Sequence, residues 1–184
     1  AEGPDEQDAI ERSRARSLAA LGRASGSIKG TALLDGALRI FRAIGDRQGE
    51  ATAHLYTGEI MQDDGRFVEA IRHVQQAIII HEADGDTLKV AECTNTAGEY
   101  YRIMGDPSTA LEYHLTALPV VMRLGASSAK GWNNILIGAV HRHTKNWPEA
   151  LRYFSTARSI YEGSGDPIGV AIAYNDLGTA WFGS

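Results

Sequence analysis

The side chains that could do chemistry are few and scattered. There are six histidines and one cysteine in 184 residues. His141 and His143 lie two apart, so on a helix they face different ways, and neither belongs to an H-E-x-x-H motif. His54, His73 and His81 show no spacing that pairs them as ligands, and a packed role is expected for His114 and His141. Cys93 has no partner for an internal disulfide and no adjacent base that would make it a nucleophile. Glu59 and Glu99 are a pair of carboxylates in name only, because no pocket is indicated that would raise either pKa. "GSGDPIG" at 163–169 is glycine-rich but lacks the G-x4-G-K-[ST] pattern of a phosphate cradle. No metal, cofactor or catalytic residue is expected, and the chain is read as a non-enzyme.

The bulk chemistry narrows the partners. A net charge of −5 argues against a nucleic-acid footprint, which needs a basic surplus. No apolar run approaches the roughly 18 residues of a membrane span. "AEGPDEQDAIERSR" at the N-terminus has neither a basic nor an apolar signal region. A cytoplasmic location is expected, and the absence of an initiator Met suggests a fragment or a trimmed chain.

Four series of small residues recur every 40 positions: Gly45, Gly85, Gly125, Gly165; Gly58, Gly98, Gly138, Gly178; Ala70, Ala110, Ala150; and Ala77, Ala117, Ala157. Such a period marks a stacked repeat. Each period holds two amphipathic helical patterns split by turn signals, for instance about 48–63 and 67–82. Gly65 and Gly105 are placed to end first helices in the left-handed conformation. Asp106 and Asn146 are placed as N-caps, the latter with Glu149 at capping-box spacing. Helices at about 5–23 and 28–43 form a degenerate first unit, in which Leu18 replaces the mid-helix glycine. One at about 167–182 stands alone. The units are 5–44, 45–84, 85–124, 125–164 and a half-unit 165–184, about nine helices within a single array over 1–184. No segment alternates with period 2, so no strand is expected.

The mid-helix glycines are read as points of close approach to the alanines of the second helix, with Val74, His114 and Phe154 filling the space between. Gly178 is read as a fourth member of that series. Pro119, inside a second helix, cannot donate to the carbonyl of Leu115 and is expected to kink it.

These residues carry a resemblance. "YNDLGTAW" at 174–181 is similar to the W-x2-L-G-x2-Y half of the tetratricopeptide pattern, "AGEYY" and "IGAVH" fit it in part, and "ALRYF" at 150–154 matches its A-x3-F half. The chain resembles a tetratricopeptide array over nearly its whole length. The 40-residue form resembles that of kinesin light chains, spindle-orientation adaptors and bacterial Rap-type regulators. The resemblance implies an all-α right-handed solenoid whose first helices line a concave groove for a protein or peptide.

Counting from each glycine, the groove candidates are Leu55, Glu59, Asn95, Glu99, Arg102, Trp132, Ile135, Arg142 and Asn175. The asparagines suit a peptide backbone, Arg102 and Arg142 could converge on an anion, and Trp132 with Ile135 could form an apolar pocket. Domains that clamp a terminal carboxylate use Lys and Asn at such places. No Lys appears here, so that partner class is not expected. The alternatives are a sensory or regulatory segment of a larger signalling protein, and a scaffold that self-associates, as a homodimer through the C-terminal helix.

Overall fold

The computed structural model describes residues 4–184; the first three residues of the acidic N-terminal stretch lie outside them. Among the described residues every regular element is a helix. They are α1 (Pro4–Ala24), α2 (Ser27–Ala43), α3 (Arg47–Asp63), α4 (Phe67–Ala83), α5 (Thr87–Ile103), α6 (Pro107–Leu124), α7 (Ser127–His143), α8 (Trp147–Ser164) and α9 (Pro167–Gly183). They fall into two compact units, Ala1–Asp86 and Thr87–Ser184.

The turns follow from local chemistry. Gly65 and Gly105 end α3 and α5 with φ of 74° and 84°, a conformation that costs other residues a clash at Cβ. Lys145 stands at the same point after α7 and adopts φ 58° without that freedom. Gly125 departs from its series, with φ −72° and an extended ψ. Asp46, Asp106 and Asp166 cap α3, α6 and α9 by accepting from backbone N–H groups, at 2.9 Å from Gly49, 3.1 Å from Thr109 and 3.0 Å from Gly169. The capping box expected at Asn146 does not form. Asn146 makes no side-chain cap bond, and Glu149 turns instead to Arg152. The α6 helix runs unbroken through Pro119.

Within the first unit, α1, α2 and α3 pack around Ala15, Leu34, Ala37, Phe41 and Ala53, and α4 packs on α3. The first hairpin lacks the mid-helix glycine but makes its own close crossing one turn later. A Cβ on Gly22 would come within 3.0 Å of the Gly30 carbonyl oxygen. Within the second unit, α7 packs on α8 and α8 on α9 around Ala150, Phe154, Ala157, Tyr161, Ala173 and Leu177. The Tyr161 ring fills the space left by Gly131 and Gly169.

The glycine series splits. A Cβ on Gly58 would lie 3.3 Å from the Ala70 carbonyl oxygen, on Gly98 2.8 Å from His114 Cε1, and on Gly138 2.5 Å from Phe154 Cε1. A Cβ on Gly178 would meet nothing within 4 Å. The close approach expected there is absent, because no second helix lies against that side of α9 among the described residues. Opposite signs follow for one substitution. Gly178→Ala should raise the urea midpoint, by the helix-propensity gain of about 1 kcal/mol. Gly138→Ala should lower it, since an overpacking cost of about 1–3 kcal/mol exceeds that gain in most of its range. Equal shifts would contradict the packing account.

Candidate peptide-binding face

Hairpin geometry brings together residues 19 apart, one on each helix. Asn95 of α5 and His114 of α6 meet this way, Oδ1 to Nδ1 at 3.1 Å, and Asn133 of α7 donates from Nδ2 to the same Asn95 oxygen at 2.7 Å. All three side chains are buried. Because Asn95 Oδ1 accepts, the His114 proton sits on Nδ1, leaving Nε2 bare. Nε2 and Asn133 Oδ1 are buried without a hydrogen-bond partner. Burial pushes the His114 pKa down to about 4, with Glu99 opposing and Arg102 reinforcing.

His54 of α3 and His73 of α4 form the same kind of contact, Nδ1 to Nδ1 at 3.0 Å. The sequence reading left these two unpartnered; the hairpin pairs them. Arg42 donates to His54 Nε2 at 3.3 Å, so His54 carries its proton on Nδ1 and donates it to His73. Burial, then His73 and Arg42, push the His54 pKa down to about 4, and burial also lowers that of His73. With its Nδ1 proton engaged, His54 offers no free lone pair to a metal. Among the described residues no three His, Cys, Asp or Glu gather as a metal site.

The groove candidates divide by burial. Ile135 is only 4% exposed and packs in the core beside Ala150 and Phe154. It does not join Trp132 in an open pocket. Asn95 is consumed by the buried network above, so its amide cannot clamp a peptide. Arg102 and Arg142 do not converge on an empty anion site. Arg102 binds Glu99 through two bonds of 2.8 and 2.6 Å, while Arg142 donates to Asp176 at 2.7 Å and Thr179 at 2.8 Å. Burial raises the Asp176 pKa, and the Arg142 guanidinium opposes that rise. Glu59 pairs with Arg23 at 2.7 Å, and Leu55 is half-buried. Trp132 is 48% exposed, and Asn175 is exposed.

Sequence reasoning missed a cleft of about 250 Å³ in the first unit, lined by Arg16, Ala19, Phe41, Gly49, Thr52 and Tyr56 among others. It also missed Asn133, although the signal was present: Asn133 occupies the register slot of Ala53, Cys93 and Ala173, where only small residues otherwise stand.

Residues 50–122 match the family model described as tetratricopeptide repeat. Together with the helical-hairpin architecture, this match gives the chain the tetratricopeptide-repeat fold, of the all-α solenoid class. No curated protein matches the sequence. Solved structures share the fold at low identity. One is a signal transduction ATPase with numerous domains (STAND) carrying a tetratricopeptide repeat sensor, from Pyrococcus horikoshii: TM-score 0.80, 15% identity, 94% of this chain and 28% of that one. Another is aspartyl phosphate phosphatase F from Bacillus subtilis: TM-score 0.79, 15% identity, 95% of this chain and 45% of that one. A third, from Podosopora anserina, is named for a kinesin light chain with nearly identical TPR-like repeats: TM-score 0.67, 13% identity, 94% and 87%. The chain thus spans 28% of the STAND protein and 45% of the phosphatase. The repeat fold is typical of protein-interaction modules and is in general non-catalytic. No described helix is long and apolar enough to cross a membrane.

The lowered histidine pKa values set a pH response. The unfolded chain takes up protons near the ordinary value of 6.5, whereas folded His54 and His114 resist until about 4. Their stability contribution is therefore complete above pH 6.5 and is lost as pH falls toward 4. His114→Phe, which installs the residue found at Phe154, should flatten the fall in stability between pH 6.5 and 4 by up to about 1.4 kcal/mol per pH unit. Urea titrations at stepped pH measure it; an unchanged slope would mean His114 does not titrate as a buried neutral group.

Proposed function

We propose that the chain is a non-enzymatic module that binds a protein or peptide on outward faces of its first-type helices: in the second unit Glu99, Arg102, Trp132, Arg142 and Asn175 line such a face with Asn95 and Ile135 beneath it, and in the first unit Leu55 and Glu59 hold the equivalent register positions. The observation that carries this reading is Trp132. It stands half-exposed in α7, next to six consecutive buried residues, 133–138. A large aromatic held in water on a rigid helix is a binding anchor in waiting. Its register position is also that of Thr52, which lines the cleft in the first unit.

The carboxylate–arginine pairs give this face a neutral, hydrogen-bonding rim rather than a charged one. A neutral rim and a net charge of −5 favour a peptide over a nucleic acid. The setting is cytoplasmic. A second reading is a sensor or regulatory segment within a larger signalling protein; the likeness to a STAND sensor and the partial coverage of that protein favour it. The length of the parent open reading frame separates the two.

Peptides selected on the wild-type chain from a displayed library should lose at least tenfold in affinity, about 1.4 kcal/mol, to Trp132→Ala combined with Asn175→Ala. Both side chains are exposed, so the melting midpoint should barely move. Unchanged affinity for every selected peptide would remove this face as the site.

A further inference from the structure

Down the side of α1 that meets α3 stand Arg12, Arg16 and Arg23, at i, i+4 and i+11. Two carboxylates reach them from α3 and its cap. Asp46 takes Arg12 at 3.1 Å, while its other oxygen accepts from the Gly49 N–H at 2.9 Å. Glu59 takes Arg23 at 2.7 Å. Arg16 is left over. Among the described residues its ionic neighbour is the same Asp46, at 3.9 Å, beyond hydrogen-bond reach, and its side chain is 69% exposed. Its planar fork of donors is therefore free for a further carboxylate.

Arg16 also lines the cleft of about 250 Å³ between α1 and α3. The exposed Arg16 and Gln48 stand at its rim, and Phe41, buried beneath α3, makes its floor. The Phe41 ring comes so close because residue 49 lacks a side chain: a Cβ on Gly49 would lie 2.3 Å from two of its ring carbons. Tyr56 walls the α3 side, and the Arg23 guanidinium lies over its ring at 4.8 Å from the centroid. Ala19 and Ala20 leave the α1 side without bulk. The cleft is thus apolar below and cationic at one rim. Its volume falls below the roughly 300–1,000 Å³ of small-molecule sites, so it takes one side chain rather than a whole ligand.

We propose that the α1–α3 cleft binds an acidic peptide segment, with one aliphatic or aromatic side chain seated on Phe41 between Ala20 and Tyr56, and a neighbouring Asp or Glu carboxylate on Arg16. Charge selects this occupant. Three guanidiniums against two carboxylates leave one positive charge unmatched at the rim, and one side-chain carboxylate matches it. The walls and floor all belong to the first unit, so the site does not depend on the Trp132 face.

The probe is the peptide acetyl-SGLEGS-amide, blocked at both ends so that its one carboxylate is the glutamate side chain. It is titrated into the isotope-labelled full chain and followed by backbone amide NMR shifts. The shifts should saturate and centre on Ala20, Gly49 and Thr52. Glutamine for the peptide's glutamate, or Arg16→Gln in the chain, should each weaken binding by about fivefold. The two together should cost no more than either alone. Alanine for the peptide's leucine should weaken it by about tenfold. Ala20→Phe, at an exposed position where a ring fills the cleft, should abolish it. Arg16→Gln leaves Asp46 on Arg12 and on the Gly49 N–H, so the melting midpoint should stand. Arg14→Gln removes the same charge from the opposite side of α1, where Arg14 lies 3.5 Å from Glu11, and should leave binding unchanged, as should Trp132→Ala. The proposal is overturned if no saturable shifts appear at the cleft, or if the glutamine peptide binds as tightly. It is also overturned if Arg14→Gln weakens binding as much as Arg16→Gln, which would reduce the effect to overall charge. Displacement of the peptide by an equal concentration of inorganic phosphate would make this a bare anion site and overturns it as well.

Discussion

The close crossing of two helices at residues without bulk is the constraint on which the structure depends. Gly58, Gly98 and Gly138 each cost their helix roughly 1 kcal/mol in intrinsic propensity relative to alanine. They are tolerated because a buried side chain or backbone of the facing helix occupies the vacated space. Once that crossing is set, the outer residues of each hairpin have little freedom. The fully buried alanines Ala70, Ala110 and Ala150 fix how near the axes lie, and Val74, His114 and Phe154 fill what remains. The faces left outward are those available to partners. The first hairpin reaches the same end by another route, through Gly22 and Gly30.

Polar residues placed in that apolar register do something different. His114 and Asn133 stand in slots that otherwise hold small, aliphatic or aromatic groups, Asn95 in one shared with Leu55, Ile135 and the exposed Asn175, and the three satisfy most of one another's demands rather than water's. Such a network contributes little net stability, since burial removes each group from water. It does discriminate, because a shift of one helix along another would leave several buried polar atoms unpaired. His54 and His73, joined directly, with Arg42 on the far nitrogen of His54, do the same in the first unit. Two hairpins of similar outline are thereby given distinct interiors.

Much of this was legible in the sequence because a 40-residue register repeats the same physical demand. The helices expected at 48–63, 67–82 and 167–182 are found at Arg47–Asp63, Phe67–Ala83 and Pro167–Gly183. What periodicity cannot convey is which side of a helix is covered. Ile135 and Asn95 sit on a helical stripe that spacing allows to face outward, yet α8 buries Ile135 and α6 buries Asn95. Gly178 obeys the register, but its partner helix is not among the described residues. The capping box at Asn146 was a pattern match undone by competition, since Arg152 offers Glu149 a charge-assisted bond. The His54–His73 pairing was hidden for another reason: residues 19 apart become neighbours only once the hairpin angle is known.

Function follows from the same economy of faces. A chain whose hairpins bury one side of each first helix presents the other, and here that side carries Trp132 amid mutually neutralised charges. The claim beneath all of this is that the facing side chain, not backbone freedom, explains the mid-helix glycines. A double-mutant cycle of Gly138→Ala with Phe154→Leu tests it most directly, because shortening Phe154 makes room for the new methyl group. The account predicts that the double variant is more stable than the sum of the single changes, with a coupling of about 0.5–3 kcal/mol. Additive effects would contradict it.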